Sequence, residues 1–438
     1  MVCVDVGSTW TKAALVRVPD GELVATSAVP TTAGSDVLHG LGQAVALLGP
    51  AAVRAPVRAC SSAGGGLRIA VLGQERLITA DAGRRVALTA GGHIVHVAWG
   101  PLDTAGIAAL RRSRPDVLLF AGGTDGGDED VVRHNAARLA AARFRVPTVF
   151  AGNAACAGFV REVLPAAVVC GNIVPRLGVL DPAPARDALR AMFLRHVIGG
   201  RGLSRGRRFG RLVRAATPDA VLTAVILLAE TPLAPTSHTP SRDLIVIDVG
   251  GATTDVYSAV SPDPARARPA AGVLWCARTV EGDLGLRAGA PGVIAAARTE
   301  RLLAEDGATA VEEWERAAAA RSATPAYLPA TAAERAVDER LAALALTVAL
   351  RRHARHADAG VPRNLRAVTL VVGSGGVLRH HGPAALHTAL TDHAGGWALP
   401  AHPHVSVDAA YVLAAAGLLA PDHPEAARRL LARALAPA

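Results

Sequence analysis

VCVDVGSTWTK, Val2 to Lys12, decides the reading of this chain. An apolar strand ends in Asp5-Val6-Gly7, turns tightly through Ser8 and Thr9, and returns as a second strand, KAALVRV. Pro19-Asp20-Gly21 then turns the chain into ELVATSAV, so residues 1–30 predict a three-stranded meander. The same pattern recurs at DLIVIDVGG, Asp243 to Gly251, followed by TTDVYSAV and GVLWCARTV. Aligning Asp5-Val6-Gly7-Ser8 with Asp248-Val249-Gly250-Gly251 sets Thr11 against Thr254 and Lys12 against Asp255, a degenerate internal duplication. Asp-Val-Gly at a strand end is common by itself. The weight comes from two copies that each follow an apolar strand, open a meander and head one half of the chain.

Between the copies, Val117 to Phe120 and Thr148 to Phe150 read as strands, while Glu129 to Ala142 and Asn153 to Val163 read as helices. This alternation predicts α/β layers. The Pro-rich segment Thr231 to Pro240 reads as a linker. Two domains are therefore expected: 1–240 with the first loop, rejoined by the C-terminal helices of 408–438, and 241–407 with the second.

A chain of 438 residues exceeds what one core usually fills, and a hydrophobic content of 51% can fill two. Aromatic residues, at 3%, are too few for a base-stacking platform. The net charge of +9 rests almost wholly on Arg, since Lys12 is the single lysine. Its one dense basic run, RGLSRGRRFGR from Arg201 to Arg211, has no interleaved aromatic series and is either a solvated loop or a surface for an acidic partner. No nucleic-acid partner is expected. The longest apolar stretches, Val221 to Ala229 and Ala409 to Ala420, fall short of the roughly 20 residues that span a bilayer. Asp5 and Lys12 stand where a secretory signal would carry its apolar run, so a cytoplasmic chain without a membrane partner is expected. Cys3, Cys60, Cys156, Cys170 and Cys276 are scattered and form no C-x-x-C pair, which predicts reduced, mostly buried thiols. His93 with His96, and His353 with His356, make no metal-ligand array and read as solvated or satisfied side chains.

The two glycine turns suit a magnesium triphosphate. Such a ligand needs close backbone N–H groups, a cation against its charge, and carboxylates that orient hydrated metal. Gly7, Ser8 and Thr9 on one side, and Gly250, Gly251, Ala252 and Thr253 on the other, allow the close approach. Asp5 and Asp248 are the candidate magnesium carboxylates, and Lys12 is the compact cation that reaches a β- or γ-phosphate. Asp255 is a candidate for orienting water or metal. A third glycine turn, Gly373-Ser374-Gly375-Gly376, follows the apolar strand LVV and precedes a helix, which suits an adenosine contact.

In this order, DVGSTWTK, IDVGGATTD and GSGG resemble the phosphate 1, phosphate 2 and adenosine motifs of the actin, Hsp70 and sugar-kinase superfamily. The run from Asp408 to Gly417 resembles the C-terminal helix that crosses between its domains. That resemblance implies an α/β fold of two ribonuclease H-like domains with an interdomain nucleotide cleft, and ATP with Mg2+ as ligands. AGGTDGGD (121–128), AGN (151–153), CSSAGGGLR (60–68) and EGDLGLR (281–287) further resemble the glutamate mutase accessory family called MutL or GlmL, unrelated to the mismatch-repair protein of that name. The family resemblance runs end to end and implies an ATP-dependent, chaperone-like reactivating factor whose partner is a cobalamin-dependent mutase subunit. Asp125 and Asp128 either serve the nucleotide or cap the following helix. The glycines 64–66 and the acidic residues of EGDLGLR serve packing or a partner surface, and Arg287 is a possible nucleotide contact. Three other functions share these features: a small-molecule kinase of the same fold, a filament-forming actin-like ATPase, and an electron-feeding dehydratase activator. The last requires paired cysteine ligands, which the spacing does not offer.

Overall fold

The computed structural model describes residues 1–64, 67–198, 202–231, 243–261, 275–355 and 363–435. Most of the Thr231 to Pro240 linker, Gly65, Gly66, Arg201, His356, the start of GVLWCARTV and the last three residues lie outside them. Strands β1 (Val2–Val6), β2 (Trp10–Arg17) and β3 (Glu22–Pro30) form a meander, and β4 (Val57–Ser61) flanks β1 on its other edge. β1 with β2, and β2 with β3, pair antiparallel. Alternation along β1 sends Val2, Val4 and Val6 fully into the core and leaves Asp5 half-buried. The register sets Asp5 opposite Lys12, so the two charges share one face, a pairing worth roughly 0.2–1 kcal/mol.

Residues Cys60–Asp219 make up most of one compact unit. Its sheet contains β5 (Arg68–Gly73), β6 (His93–Trp99), β7 (Val117–Phe120), β8 (Thr148–Phe150) and β9 (Val168–Val169), in the order β6-β5-β7-β8-β9 with every pair parallel. β5 and β7 are apolar and buried on both faces, as the inner strands of a helix-covered parallel sheet must be. The helices Asp130–Ala141 and Ala157–Val163 fall within the stretches read as helical. The short strand β10 (Val213–Ala216) ends this stretch of chain.

The other unit holds residues 1–59 and the described parts of 220–261 and 278–438. Its second sheet comprises β11 (Leu244–Val249), β12 (Thr254–Ala259), β13 (Cys276–Glu281), β14 (Leu370–Ser374) and β15 (His404–Val407), ordered β13-β12-β11-β14-β15. β12 runs antiparallel to β11, whereas β14 and β15 run parallel. Both sheets thus set their third, second, first and fourth strands side by side, the ribonuclease H-like arrangement in an α/β chain. Compactness groups most of both sheets in this one unit, while the sequence repeat divides the chain at 240. Contacts of the C-terminal residues account for that grouping. The Asp408 N–H donates to the Gly373 carbonyl at 2.8 Å, and the helix Val412–Leu419 packs against β1.

A 24-residue helix, Ala332–Arg355, covers the second sheet. Thr331-Ala-Ala-Glu334 begins it as a capping box: Thr331 Oγ1 accepts from the Glu334 N–H at 3.2 Å, and Glu334 Oε2 accepts from the Thr331 N–H at 2.9 Å. The stretch Leu341 to Leu350 is buried nearly all round, so the helix is a core element. His353 lies within it, between Thr279 Oγ1 at 2.9 Å and Ser258 Oγ at 2.8 Å, a satisfied core histidine. Cys3, Cys60, Cys156 and Cys276 are buried and in no disulfide, and Cys170 is partly buried.

Gly417 lets the helix Val412–Leu419 meet the backbone of Ala220, whose carbonyl a Cβ would strike. Gly158, on the helix Ala157–Val163, faces open space. Urea unfolding should therefore separate the two. Gly417→Ala is expected to lose about 1–3 kcal/mol, while Gly158→Ala is expected to be neutral or to gain up to about 1 kcal/mol.

Candidate functional site

Hydrogen bonds from neighbouring segments brace both glycine turns. In the first, the Gly7 N–H donates to the Trp10 carbonyl at 3.0 Å, Thr31 Oγ1 donates to the Gly7 carbonyl at 2.9 Å, and the Thr31 N–H donates to the Thr9 carbonyl at 2.8 Å. In the second, the Gly250 N–H donates to the Thr253 carbonyl at 2.9 Å, and the N–H groups of Leu286 and Arg287 donate to the carbonyls of Gly250 and Gly251 at 3.0 and 2.7 Å. EGDLGLR is thus the brace of the second turn. Its Arg287 directs the guanidinium to Asp338 at 2.8 Å and to the Tyr327 carbonyl, so its contacts are structural. The two turns face one another: a Cβ on Gly251 would stand 3.7 Å from Thr9 Oγ1.

Lys12 projects from β2 into a ring of acidic groups. Losing water would lower its ammonium, but Asp5, then Tyr411, Asp248 and Asp408, outweigh that and hold its pKa above the usual value. Asp248 ends β11. Burial raises its carboxyl, Lys12 opposes the rise, Asp255 and Asp5 add to it, and the Ser374 hydroxyl opposes it by hydrogen bonding. Asp408 is buried, and burial lifts it to about 6 even though the N–H groups of Val412 and Leu413 donate to its carboxylate at 2.8 and 3.1 Å.

Asp255 is buried opposite Asp248 in the strand register. Its Oδ1 accepts from the buried Arg278 Nε at 2.9 Å and its Oδ2 accepts from Thr253 Oγ1 at 3.2 Å. Both oxygens are therefore engaged, one by β13 and one by the turn. Among the adenosine-loop residues, Gly373 and Ser374 are the last residues of β14 and do not belong to a turn. A Cβ on Gly373 would collide with Leu378, so this glycine serves packing. Gly375, at φ +113°, turns the chain where a side chain would strike the Val249 carbonyl, and Gly376 opens the helix Gly376–His381 facing open space. Asp125 and Asp128 belong to the other unit. There Asp125 Oδ1 accepts from Asn172 Nδ2 at 2.8 Å and from the Ala154 N–H at 2.9 Å. Asp128 accepts from Gln74 Nε2 at 2.9 Å and from the Asp130 N–H at 3.1 Å, at the start of the helix Asp130–Ala141.

The sequence passed over Asp408, Tyr411, Arg278 and Arg379 as site residues. Asp408 had a signal: it heads the run read as a helix, yet the helix begins only at Val412, because the Asp408 carboxylate caps it. Arg278 had none, since only the β12–β13 pairing brings it to Asp255.

Paired ribonuclease H-like sheets with opposed glycine turns define the actin, Hsp70 and sugar-kinase class of fold. A family model described as MutL protein matches residues 1–435. Protein MutL of Clostridium tetanomorphum is 34% identical over 458 residues, which cover 98% of this chain and 98% of that protein. The chain belongs to the MutL family. Among solved structures, a carbohydrate kinase from Novosphingobium aromaticivorans is similar over 100% of this chain and 94% of its own, at 13% identity and a TM-score of 0.32. A PilM–PilN type IV pilus biogenesis complex is similar over 98% of each chain, at 16% identity and a TM-score of 0.30.

Asp408 generates a pH prediction. Its folded pKa, about 6, lies above the unfolded value, so the folded chain holds a proton that the unfolded chain releases. The stability this contributes is present below the unfolded pKa and is lost as pH rises through about 6. Asp408→Asn cannot titrate. The advantage of the parent chain over it in urea midpoint should therefore shrink between about pH 4 and 7, and an advantage that grows over this range contradicts the assignment.

Proposed function

We propose that this chain hydrolyses ATP between its two opposed glycine turns and uses the cycle to reactivate an adenosylcobalamin-dependent mutase, with glutamate mutase the first partner to try. One observation carries the proposal: Lys12 stands among Asp5, Asp248 and Asp408 beside two facing turns, in a chain similar from end to end to Protein MutL. Gly7, Ser8 and Thr9 would approach the phosphates from one side, and Gly250, Gly251, Ala252 and Thr253 from the other. Lys12 would hold its ammonium against the terminal phosphates as a point charge. Gly375 and Gly376 would receive the adenosine, while Ser374 supports Asp248.

Asp5 and Asp248 fit a hydrated magnesium ion, because they are two carboxylates at opposed strand ends beside a single ammonium. Bound there, the ion would neutralise phosphate charge. Asp255, already engaged by Arg278 and Thr253, would hold the second turn in place, with Asp5 and Asp248 nearer the attacking water. We assign the working halves to 1–240 with 408–438 and to 241–407, since each carries one phosphate turn. A closing and opening of such halves can prise a bound partner apart without covalent chemistry. No described helix is long and apolar enough to cross a membrane, and we place the protein in the cytoplasm with its mutase.

Lys12→Ala and Asp248→Asn are each expected to lower kcat/KM for ATP by about 100-fold or more, with the far-ultraviolet circular dichroism unchanged. Parental turnover in either variant would remove the site. Labelled ATP should yield free phosphate. Transfer of the label to a small molecule would make the chain a kinase instead. Pull-down from native lysate should recover cobalamin-dependent mutase subunits in an ATP-sensitive manner, and recovery that is indifferent to ATP contradicts the reactivating role.

A further inference from the structure

Tyr411 stands three residues beyond Asp408 in a left-handed conformation, φ +55° and ψ +41°. A non-glycine residue there costs energy, and such strain persists only where the surroundings impose it. Asp408 imposes it from below, by taking the Val412 and Leu413 N–H groups. Two cations lie on the ring that this conformation presents: the Lys12 ammonium 3.8 Å from its centroid and the Arg379 guanidinium 4.7 Å from it. Arg379 belongs to the helix Gly376–His381, which begins at the third glycine turn. A small cavity lined by Cys3, Ala14, Ser27, Ala414 and Tyr411 lies beside the stem of Lys12.

We propose that Tyr411 is a positioning residue: its ring holds the Lys12 ammonium at the mouth of the two phosphate turns and, because the same ring also contacts Arg379, ties the lysine to the adenosine-side helix. The role follows from the shape of the site. Asp5, Asp248 and Asp408 all pull on one flexible four-carbon side chain, and without an apolar platform the ammonium could settle on any of them. An aromatic face attracts a cation without neutralising it, which keeps the charge available to phosphate. The inference rests on the nucleotide reading for its purpose, but its geometry can be tested separately.

Lys12 is the only lysine, so the full chain labelled with 13C-lysine gives a single lysine side-chain signal. Its Hε protons are expected upfield of free lysine, displaced by the Tyr411 ring current, and the displacement should vanish in Tyr411→Leu and remain in Tyr411→Phe. A signal at the free-lysine position in the parent chain, or a displacement that survives Tyr411→Leu, overturns the proposal. Addition of Mg2+ with a nonhydrolysable ATP analogue should move the signal. In calorimetry, Tyr411→Leu should weaken analogue binding about 5- to 30-fold, Tyr411→Phe should restore it, and Tyr411→Leu should have no further effect in a Lys12→Ala background. An analogue that does not bind the parent chain defeats the nucleotide reading and leaves the lysine–tyrosine stack standing. Parental affinity in Tyr411→Leu, or a defect that persists without Lys12, defeats the positioning role and leaves the nucleotide reading intact.

Discussion

A lone ammonium held among carboxylates is the constraint on which the site depends. Asp5, Asp248 and Asp408 come from a strand of the first sheet, a strand of the second and the C-terminal segment, and all three act on Lys12. Removing charges from water costs several kcal/mol per ion unless partners compensate. Asp408 shows the cost directly, since burial moves its carboxyl to about 6. The pleat of each central strand resolves the conflict by sending valines and isoleucines inward on both sides of the aspartate. Val4 and Val6 are fully buried around Asp5, as are Ile247 and, nearly so, Val249 around Asp248, so the carboxylates cannot retreat from the turn they serve.

The parallel side of the second sheet completes that geometry. β14 enters parallel to β11 and sets Ser374 opposite Asp248, where its hydroxyl supports the ionised form. β15 follows in parallel, and the hydrogen bond from Asp408 to Gly373 fixes where the chain leaves the sheet. The left-handed turn at Tyr411 and the start of the helix at Val412 follow from that exit. Residues more than 400 positions apart in sequence thereby act on one side chain.

Much of the fold was legible because hydrophobic alternation and turn residues are local signals. The two meanders, β7, β8 and the helices after them could all be read directly from runs such as VCVDV, LIVIDV and VLLF. The opposed aspartates were legible because a repeat exposes them, and repeats need no knowledge of packing. Three things were not legible. Arg278 reaches Asp255 only across a strand pairing, Tyr411 reaches Lys12 only through tertiary packing, and the glycine at 373 makes room for the side chains of Leu378 and Leu386. The run from Asp408 to Gly417, read as a helix, also starts later than that reading has it. Helix propensity favours all of it, but a buried carboxylate that caps at Val412 sets the boundary.

Why the site holds a lysine at all follows from the other cations. Several carboxylates in this unit are met by arginine: Asp255 by Arg278, Asp338 by Arg321 and Arg287, and Asp392 by Arg351 through two parallel contacts of 2.7 Å. A planar fork suits such pairs because it meets both oxygens at once. Lys12 faces a different problem, with three carboxylates acting on it and an aromatic ring against it. A guanidinium would have to choose one carboxylate and lie flat against it, whereas an ammonium carries three donors on a point charge and can turn among them. In a sequence whose basic residues are otherwise all arginine and histidine, the single lysine thus stands where directionality would be a fault.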